Sequence, residues 1–492
     1  MRFSELARGI VTAKPPRPDL EVTGITQDSR LVGKGSLFVA ITGHQQDGHR
    51  YVSEAVNRGA VAVILQKPLS GLKVPQFVVE EPRQVLADLA VRFYGDPTRK
   101  LRVYGVTGTN GKTTLTYLLE SIFREAGRKA GVIGTINYRY ASRTLPAPTT
   151  TPESVDLQKI FSEMLESGIT DVVMEVSSHA LSQGRIRGIH YDAVAFTNLS
   201  RDHLDYHEDL EDYFEQKAKL FTEFLPASAK KNRFAVINRD DERGRRIEEK
   251  CPLPKIRVGV SGPYEVTAEN PRFTSEGTLA TIKIEGGEMK IRSSLIGSFN
   301  LENILVAVGV AYGAGVPLDS ISRGIEALKG VPGRLEKISN KRGLSIFVDY
   351  AHTPQALKTV GAALKPFCKK RFITLFGCGG DRDQGKRPEM GKEVARFSDL
   401  VVVTSDNPRT EDPEKIIDRI IPGLHEAGLP DSQIIRIADR NEGLKKAIES
   451  AEAGDTILVA GKGHEDYQII GKEKIHFNDS EVIRELLGQH EA

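Results

Sequence analysis

The sequence predicts an α/β protein of three domains. Residues 1–97 form a small α/β N-terminal module. Residues 98–331 form a central domain with a phosphate-loop ATPase-like, mostly parallel sheet, and 332–492 form a C-terminal Rossmann-like domain. Three observations carry this. A chain of 492 residues is too long for one hydrophobic core. Short apolar runs alternate with helical patterns through most of its length, as parallel sheets require. Near residue 103 a strand pattern passes through a glycine-rich turn into a helix pattern.

In the N-terminal module Val22–Asp28 and Ser36–Ile41 read as short strands, Tyr51–Arg58 as a helix and Ala60–Leu65 as a further apolar run. Two polar patches follow strands, Thr26-Gln27-Asp28-Ser29-Arg30 and Gly43-His44-Gln45-Gln46-Asp47-Gly48. Each suits a binding loop or an ordinary turn equally well. Tyr94-Gly95-Asp96-Pro97 reads as a linker.

The central stretch is Val103–Gly127, VYGVTGTNGKTTLTYLLESIFREAG. A strand ends near Val106, Gly108 and Gly111 make the turn, and Lys112, Thr113 and Thr114 open a helix. Leu115, Leu118, Leu119, Ile122, Phe123 and Ala126 lie on one helical face, and Gly127 is a stop signal. Backbone N–H groups and a helix N-terminus face an anion in such a turn. Lys112 is placed to reach the outer phosphates and the Thr113 hydroxyl to hold Mg²⁺. The spacing departs from the strict Walker A pattern, with Val106 where the first glycine belongs. A nucleoside triphosphate is the expected ligand.

Further strands are expected at Ala130–Ile133, Val172–Val176, Ala193–Thr197 and Phe234–Asn238. Polar clusters follow several of them: Pro148-Thr149-Thr150-Thr151-Pro152, Glu175-Val176-Ser177-Ser178-His179 and Asn198–Asp205. Ligands in open α/β sheets sit beyond the carboxyl ends of the strands, so these clusters should gather near the phosphate loop. A hairpin is expected over 265–297 with Gly286-Gly287 at its turn, then a helix from Asn300 to Tyr312. The last domain has strand patterns at Ser345–Val348, Phe372–Phe376, Leu400–Val403, Ile434–Ile437 and Thr456–Val459. One helix between them is marked by Asp412 as N-cap, Pro413 at the first position, and Ile416, Ile417, Ile420 and Ile421 on one face.

Composition narrows the classes. Lys and Arg total 68 against 66 Asp and Glu, a net charge of +2, which gives no electrostatic case for nucleic acid. The three cysteines are widely spaced and form no CxxC pair, which suits a reducing compartment rather than a disulfide or zinc framework. No apolar run approaches the ~18 residues of a membrane span, so no membrane insertion is expected, and the start of the chain has no apolar signal core. The expected location is the cytoplasm.

Glu175 and His203 are candidates to hold Mg²⁺ or its surroundings, since a hard cation is held by few protein groups plus water. The same residue types also suit a solvated strand-end carboxylate and a structural histidine. Lys217, on a helix beginning near Leu210, reads as a surface lysine.

The motifs GTNGKTT (108–114), EVSSHAL (175–181), TNLSRDHLDYH (197–207), GSFNLENILVA (297–307), GVPGRLE (330–336) and DYAHTP (349–354) resemble those of the Mur ligase family. So do FGCGGDRDQGKRPEM (376–390), DNPRTEDP (406–413) and GKGHEDYQ (461–468), and together they span all three domains in order. The resemblance implies an ATP-dependent ligase of peptidoglycan precursor synthesis that forms an amide through an acyl phosphate. It implies catalytic roles for Lys112, Glu175, His203 and Lys217, and ATP contacts from Gly108, Thr109, Asn110, Gly111, Lys112, Thr113, Thr114, Asn303, Arg334 and Asp349. Mg²⁺, two ions by this reading, would be held by Thr113, Glu175, His203 and Lys217, the last as a carbamate. Ser29, His44, Gln45, Gln46, Thr150, Thr151, Ser177, Gln183 and Arg185 would bind the UDP-MurNAc-L-Ala-D-Glu substrate. Arg382, Asp406, Asn407, Pro408, Arg409, Gly461 and Glu465 would bind meso-diaminopimelate, with the Arg409 fork on its second carboxylate and Glu465 on its distal ammonium. A monomer is expected. Folylpolyglutamate synthase, a sister ligase, and a phosphate-loop switch driven by hydrolysis are the competing readings.

Overall fold

The computed structural model describes residues 1–12, 20–43 and 46–488. The chain divides into two compact units, Met1–Val266 with Val306–Ile321, and Thr267–Leu305 with Ser322–Ala492.

The first unit holds two sheets. The smaller is four parallel strands in chain order, Gly24–Thr26, Ser36–Val39, Ala60–Leu65 and Gln76–Val78. Its last strand and the helix Pro82–Phe93 gave no clear signal in the sequence. That helix buries Leu86, Leu89 and Ala90 against Phe3, Leu6 and Phe77. The stretch expected as a linker at 94–97 is built in: Asp96 takes a left-handed conformation, and Pro97 and Thr98 are buried in a following 3₁₀ turn.

Within this unit the larger sheet places side by side Lys255–Gly259, Phe234–Asn238, Ala193–Phe196, Arg102–Thr107, Asp171–Glu175 and Ala130–Ile133, all parallel. Asn137–Tyr140 and Arg143–Pro146 then add antiparallel. Parallel strands buried on both faces read as continuous apolar runs, which is why five of these were legible; Lys255–Gly259, only partly buried, was not anticipated. The glycine turn leaves the end of Arg102–Thr107 between the ends of Ala193–Phe196 and Asp171–Glu175. Both flanking strands therefore deliver their polar tails to it. The helix Lys112–Glu125 buries Leu115, Leu118, Leu119, Ile122 and Phe123 and stops at Gly127, whose φ is +71°.

In the second unit Gly277–Ile284 and Gly287–Ser293 form an antiparallel hairpin. Ile284 pairs with Gly287, so the turn residues are Glu285-Gly286 and not Gly286-Gly287. Gly286 carries the positive φ, +85°, that a two-residue hairpin turn needs. The main sheet orders Glu336–Ile338, Ser345–Asp349, Thr456–Ala460, Phe372–Phe376, Leu400–Val403 and Ile434–Arg436, parallel after the antiparallel first strand. The helix Pro413–Glu426 is capped by Asp412, which accepts from Glu414 N at 3.0 Å, and buries Ile416, Ile417 and Ile420. Among the described residues no helix is long and apolar enough to cross a membrane.

Candidate active site

The loop after Arg102–Thr107 is held from outside rather than by its own turns. Thr109 N donates to Asn198 O at 2.8 Å and Asn110 N to Asn198 Oδ1 at 3.0 Å. Thr197 Oγ1 donates to Asn110 O at 2.6 Å, and Ser200 N to Thr109 Oγ1 at 3.0 Å. Gly108 sits at φ +148°, where a Cβ would lie 1.9 Å from Thr197 Oγ1. Only glycine lets the loop lie this close to the neighbouring strand end. Gly111, at φ +85°, caps the helix that Lys112 opens, and Thr113 and Thr114 are buried in its first turn. Lys112 Nζ folds back onto its own loop, donating to Gly108 O at 2.9 Å and Thr109 O at 2.8 Å.

Glu175 is 1% exposed, so it is not a solvated strand-end carboxylate. Its two oxygens accept from Thr135 N and Thr135 Oγ1, each at 2.9 Å. Thr135 Oγ1 is 3.1 Å from Thr150 Oγ1, and Thr151 Oγ1 donates to Glu175 O at 2.8 Å and accepts from Ser177 N at 3.0 Å. The hydroxyl-rich loop and the strand-end carboxylate are thus one network. Thr135, its centre, carried no signal in the sequence.

His203 is exposed, with φ +55°, and its ring stands 5.1 Å from that of His179 and 5.9 Å from that of Tyr213. Its pKa is lowered, first by desolvation. His179 is pushed down to about 4 by burial and by its neighbours His203 and His207. His207, within the same motif, is buried between Asp212 Oδ2 and Ser178 Oγ, 2.9 Å from each. It ties the segment carrying His203 to the one following Glu175.

Lys217 is not a surface residue. It is 1% exposed, lies 4.5 Å over the Tyr213 ring and donates from Nζ to Gly108 O at 2.9 Å. Burial pushes its pKa well below 10.5, and nearby Lys112 adds to the shift. The helix Leu210–Lys219 was legible, but which of its faces meets the phosphate loop was not.

Among the described residues no three His, Cys, Asp or Glu are grouped to hold a metal ion by themselves. One buried hydroxyl, Thr113, one buried carboxylate, Glu175, and an imidazole near the loop nevertheless fit Mg²⁺, which keeps several waters and takes phosphate oxygens.

A cleft of about 430 Å³ opens beside this network, lined by Thr42, Gly43, Arg83, Gln183, Tyr206 and Lys219 among others. Gln183 Nε2 donates to Tyr206 OH at 3.2 Å, and Arg185 donates to Gln183 Oε1 and Thr151 O. Ser29 Oγ donates to Glu54 Oε2 at 3.0 Å, beside a turn capped by Asp28. Gln46 is exposed and accepts from Tyr51 OH, while His44 and Gln45 lie outside the described residues.

In the second unit the loops after Leu400–Val403 and Thr456–Ala460 meet. Asn407 Nδ2 donates to Glu465 Oε2 at 2.9 Å, and Ile469 N donates to Asn407 Oδ1 at 2.9 Å. Gly461, at φ +112°, would place a Cβ 3.1 Å from Asp406 Oδ2. The fully buried Lys462 donates to Glu465 Oε2 at 3.1 Å and Asn407 Oδ1 at 3.3 Å. Asp406 Oδ1 is buried without a hydrogen-bond partner, 3.8 Å from Lys462 Nζ. Pro408 is buried, and Arg409 takes a left-handed φ of +53° and donates to Gly380 O at 2.8 Å. Arg409 and the exposed Arg382 flank Gly379. In the same unit Arg334 lies over the Tyr350 ring at 4.6 Å. Asp349 is buried and accepts from Leu335 N and Ala351 N, and burial raises its pKa. Asn303 is buried on its helix and donates to Asn300 Oδ1 at 3.2 Å.

Three family models match in order: the Mur ligase family catalytic domain at 21–94, the Mur ligase middle domain at 106–311, and the Mur ligase glutamate ligase domain at 333–463. A protein of Geobacter sulfurreducens, UDP-N-acetylmuramoyl-L-alanyl-D-glutamate--2,6-diaminopimelate ligase, is 46% identical over 497 residues, covering 98% of this chain and 97% of its own. A solved structure of a ligase with that name superposes with a TM-score of 0.71 at 33% identity over the whole of both chains. MurF from Acinetobacter baumannii shares the fold, with a TM-score of 0.67 at 19% identity over 93% of this chain and 95% of its own.

Proposed function

We propose the following reaction and division of labour for this chain, which belongs to the Mur ligase family. It is an ATP-dependent ligase that joins 2,6-diaminopimelate to UDP-N-acetylmuramoyl-L-alanyl-D-glutamate in peptidoglycan precursor synthesis. The γ-phosphoryl group of ATP passes to one of the two free carboxylates of the D-Glu unit, an amine of meso-diaminopimelate displaces phosphate from the acyl phosphate, and an amide, ADP and phosphate result.

Residues 1–97 and the cleft beside Gln183 and Arg185 take the nucleotide-sugar dipeptide, 98–331 takes ATP, and 332–492 takes the amino acid. Lys112 and the loop amides stabilise charge developing on the transferred phosphoryl group, where catalysis of this kind is concentrated. Thr113 and Glu175 would hold one Mg²⁺ and His203 with Lys217 a second. The metal's contribution is to neutralise phosphate charge. Thr135 orients the Glu175 carboxylate through both of its oxygens. Asn303, Arg334 and Asp349 take the adenosine end, and Arg409, Glu465 and their neighbours take diaminopimelate. A cytoplasmic monomer fits a soluble precursor pathway.

The observation that carries the reading is the buried Lys217 amine, 2.9 Å from the phosphate-loop carbonyl of Gly108. A neutral lysine amine adds to carbon dioxide, forming an N–C bond and releasing a proton, and this turns a cation into an oxygen-donor anion beside the phosphates. A phosphate-loop switch has no use for such a group. The test is amino-acid-dependent phosphate release with ATP, Mg²⁺ and UDP-MurNAc-L-Ala-D-Glu, comparing meso-diaminopimelate with L-lysine. Stimulation by diaminopimelate alone is expected. Preference for lysine would overturn the role given to Arg409, and no response to either would overturn the ligase reading.

A further inference from the structure

Two loops build the proposed amino-acid pocket, 405–409 and 461–465, and they leave the ends of strands that are not neighbours. Phe372–Phe376 lies between Leu400–Val403 and Thr456–Ala460, so no hydrogen-bond ladder links the two ends directly. Besides the contacts between the loops themselves, one side chain bonds the backbone at both strand ends. Arg440 is the first residue of the helix Arg440–Glu449, whose N-cap Asp439 accepts from Glu442 N at 3.0 Å. Its guanidinium is fully buried. Nη1 donates to Ser405 O at 3.2 Å and Nη2 to Ala460 O at 3.1 Å, the carbonyls immediately before Asp406 and Gly461. Nε and Nη2 form a fork on Asp479, at 2.8 and 2.7 Å, and that carboxylate is equally buried.

The charge alone would be satisfied by Asp479. The two remaining bonds go to the two points from which the pocket loops depart. We propose that Arg440 is a positioning residue for amino-acid binding: by holding Ser405 O and Ala460 O it sets the spacing of the loops that carry Asp406, Asn407, Arg409 and Glu465. The spacing is tight, since the Gly461 backbone packs against the Asp406 carboxylate and Lys462 bridges Asn407 and Glu465 across the same gap. The proposal rests on the assignment of this pocket to diaminopimelate.

A buried ion pair can often be replaced by apolar residues of similar volume without loss of stability, whereas removing one partner strands the other. The variant to make is therefore Arg440→Met with Asp479→Leu, beside Arg440→Lys, which keeps the charge but loses the fork. Melting curves first establish that the variants fold. For the folded double variant the KM for diaminopimelate is expected to rise about tenfold, the cost of a sub-ångström misplacement of binding groups, with the KM for ATP and for the nucleotide-sugar dipeptide unchanged. Arg440→Lys should show the same selective rise to a smaller extent, and it gives the reading if the double variant does not fold. A folded variant whose three KM values all stay at wild type, or all rise together, would overturn the positioning role. A wild-type enzyme with no diaminopimelate-dependent phosphate release would instead overturn the pocket assignment itself.

Discussion

Lys112 and Lys217 donate to the same acceptor, the carbonyl oxygen of Gly108, each at 2.9 Å. Two full positive charges converging on one carbonyl in a buried site would repel each other, and desolvation, reinforced by Lys112, drives Lys217 toward its neutral form. In the proposed reaction Lys112 would serve the phosphates and Lys217 would be the buried amine that takes up carbon dioxide.

Lys217→Ala should be nearly inactive, and short carboxylic acids should restore part of the activity by placing a carboxylate where the carbamate would stand. Phosphate release with and without added acid measures this. Absence of rescue would remove the support for a carbamate.

The same burial has a consequence for stability. The unfolded chain keeps a proton on Lys217 up to about 10.5, while the folded chain gives it up at lower pH. Between those two values the unfolded state binds more protons, so this residue's contribution to stability improves as pH rises and is most unfavourable on the acid side. In bicarbonate-free buffer Lys217→Met should raise the melting temperature, and by more at low pH than at high pH. A gain that does not vary with pH would show that Lys217 stays charged when buried.

Thr135→Val removes the hydroxyl bonded to Glu175 and leaves the backbone donor in place. Groups that orient a metal ligand typically account for about 10–100-fold in metal affinity. A Mg²⁺ titration of activity should shift to higher concentration by that order, with melting temperature little changed.

Gly108→Ala would press a methyl group into Thr197 Oγ1 and Asn198. Displacement of the loop amides by about 1 Å is expected to lower kcat by about 10²-fold. Circular dichroism should show the fold intact, because the strain is confined to the turn.

Arg409→Ala should raise the KM for diaminopimelate far more than that for ATP. The backbone at 409 already has φ +53°, so alanine adds no new conformational cost and the change reads the guanidinium alone. Equal effects on both substrates would refute its place in the pocket.

Much of the fold was legible because buried parallel strands and one-faced helices leave strong local patterns, as in Phe372–Phe376 and Lys112–Glu125. The short strand Gln76–Val78 left none, being three residues long and exposed at one end. The phosphate loop was legible from glycines, a lysine and threonines at fixed spacing. Thr135, His207, Lys462 and Arg440 were not, because their roles depend on partners tens of residues away: Glu175, Ser178, Asn407 and Asp479.

By itself, then, the sequence determined the α/β architecture, the phosphate loop, the family and the motifs at the strand ends, because each is written in neighbouring residues. Tertiary structure alone decided that Lys217 is buried, that Glu175 is shielded from solvent, and that two loops meet around Lys462. Burial and pKa depend on what the rest of the chain packs against a side chain, and local spacing does not encode that.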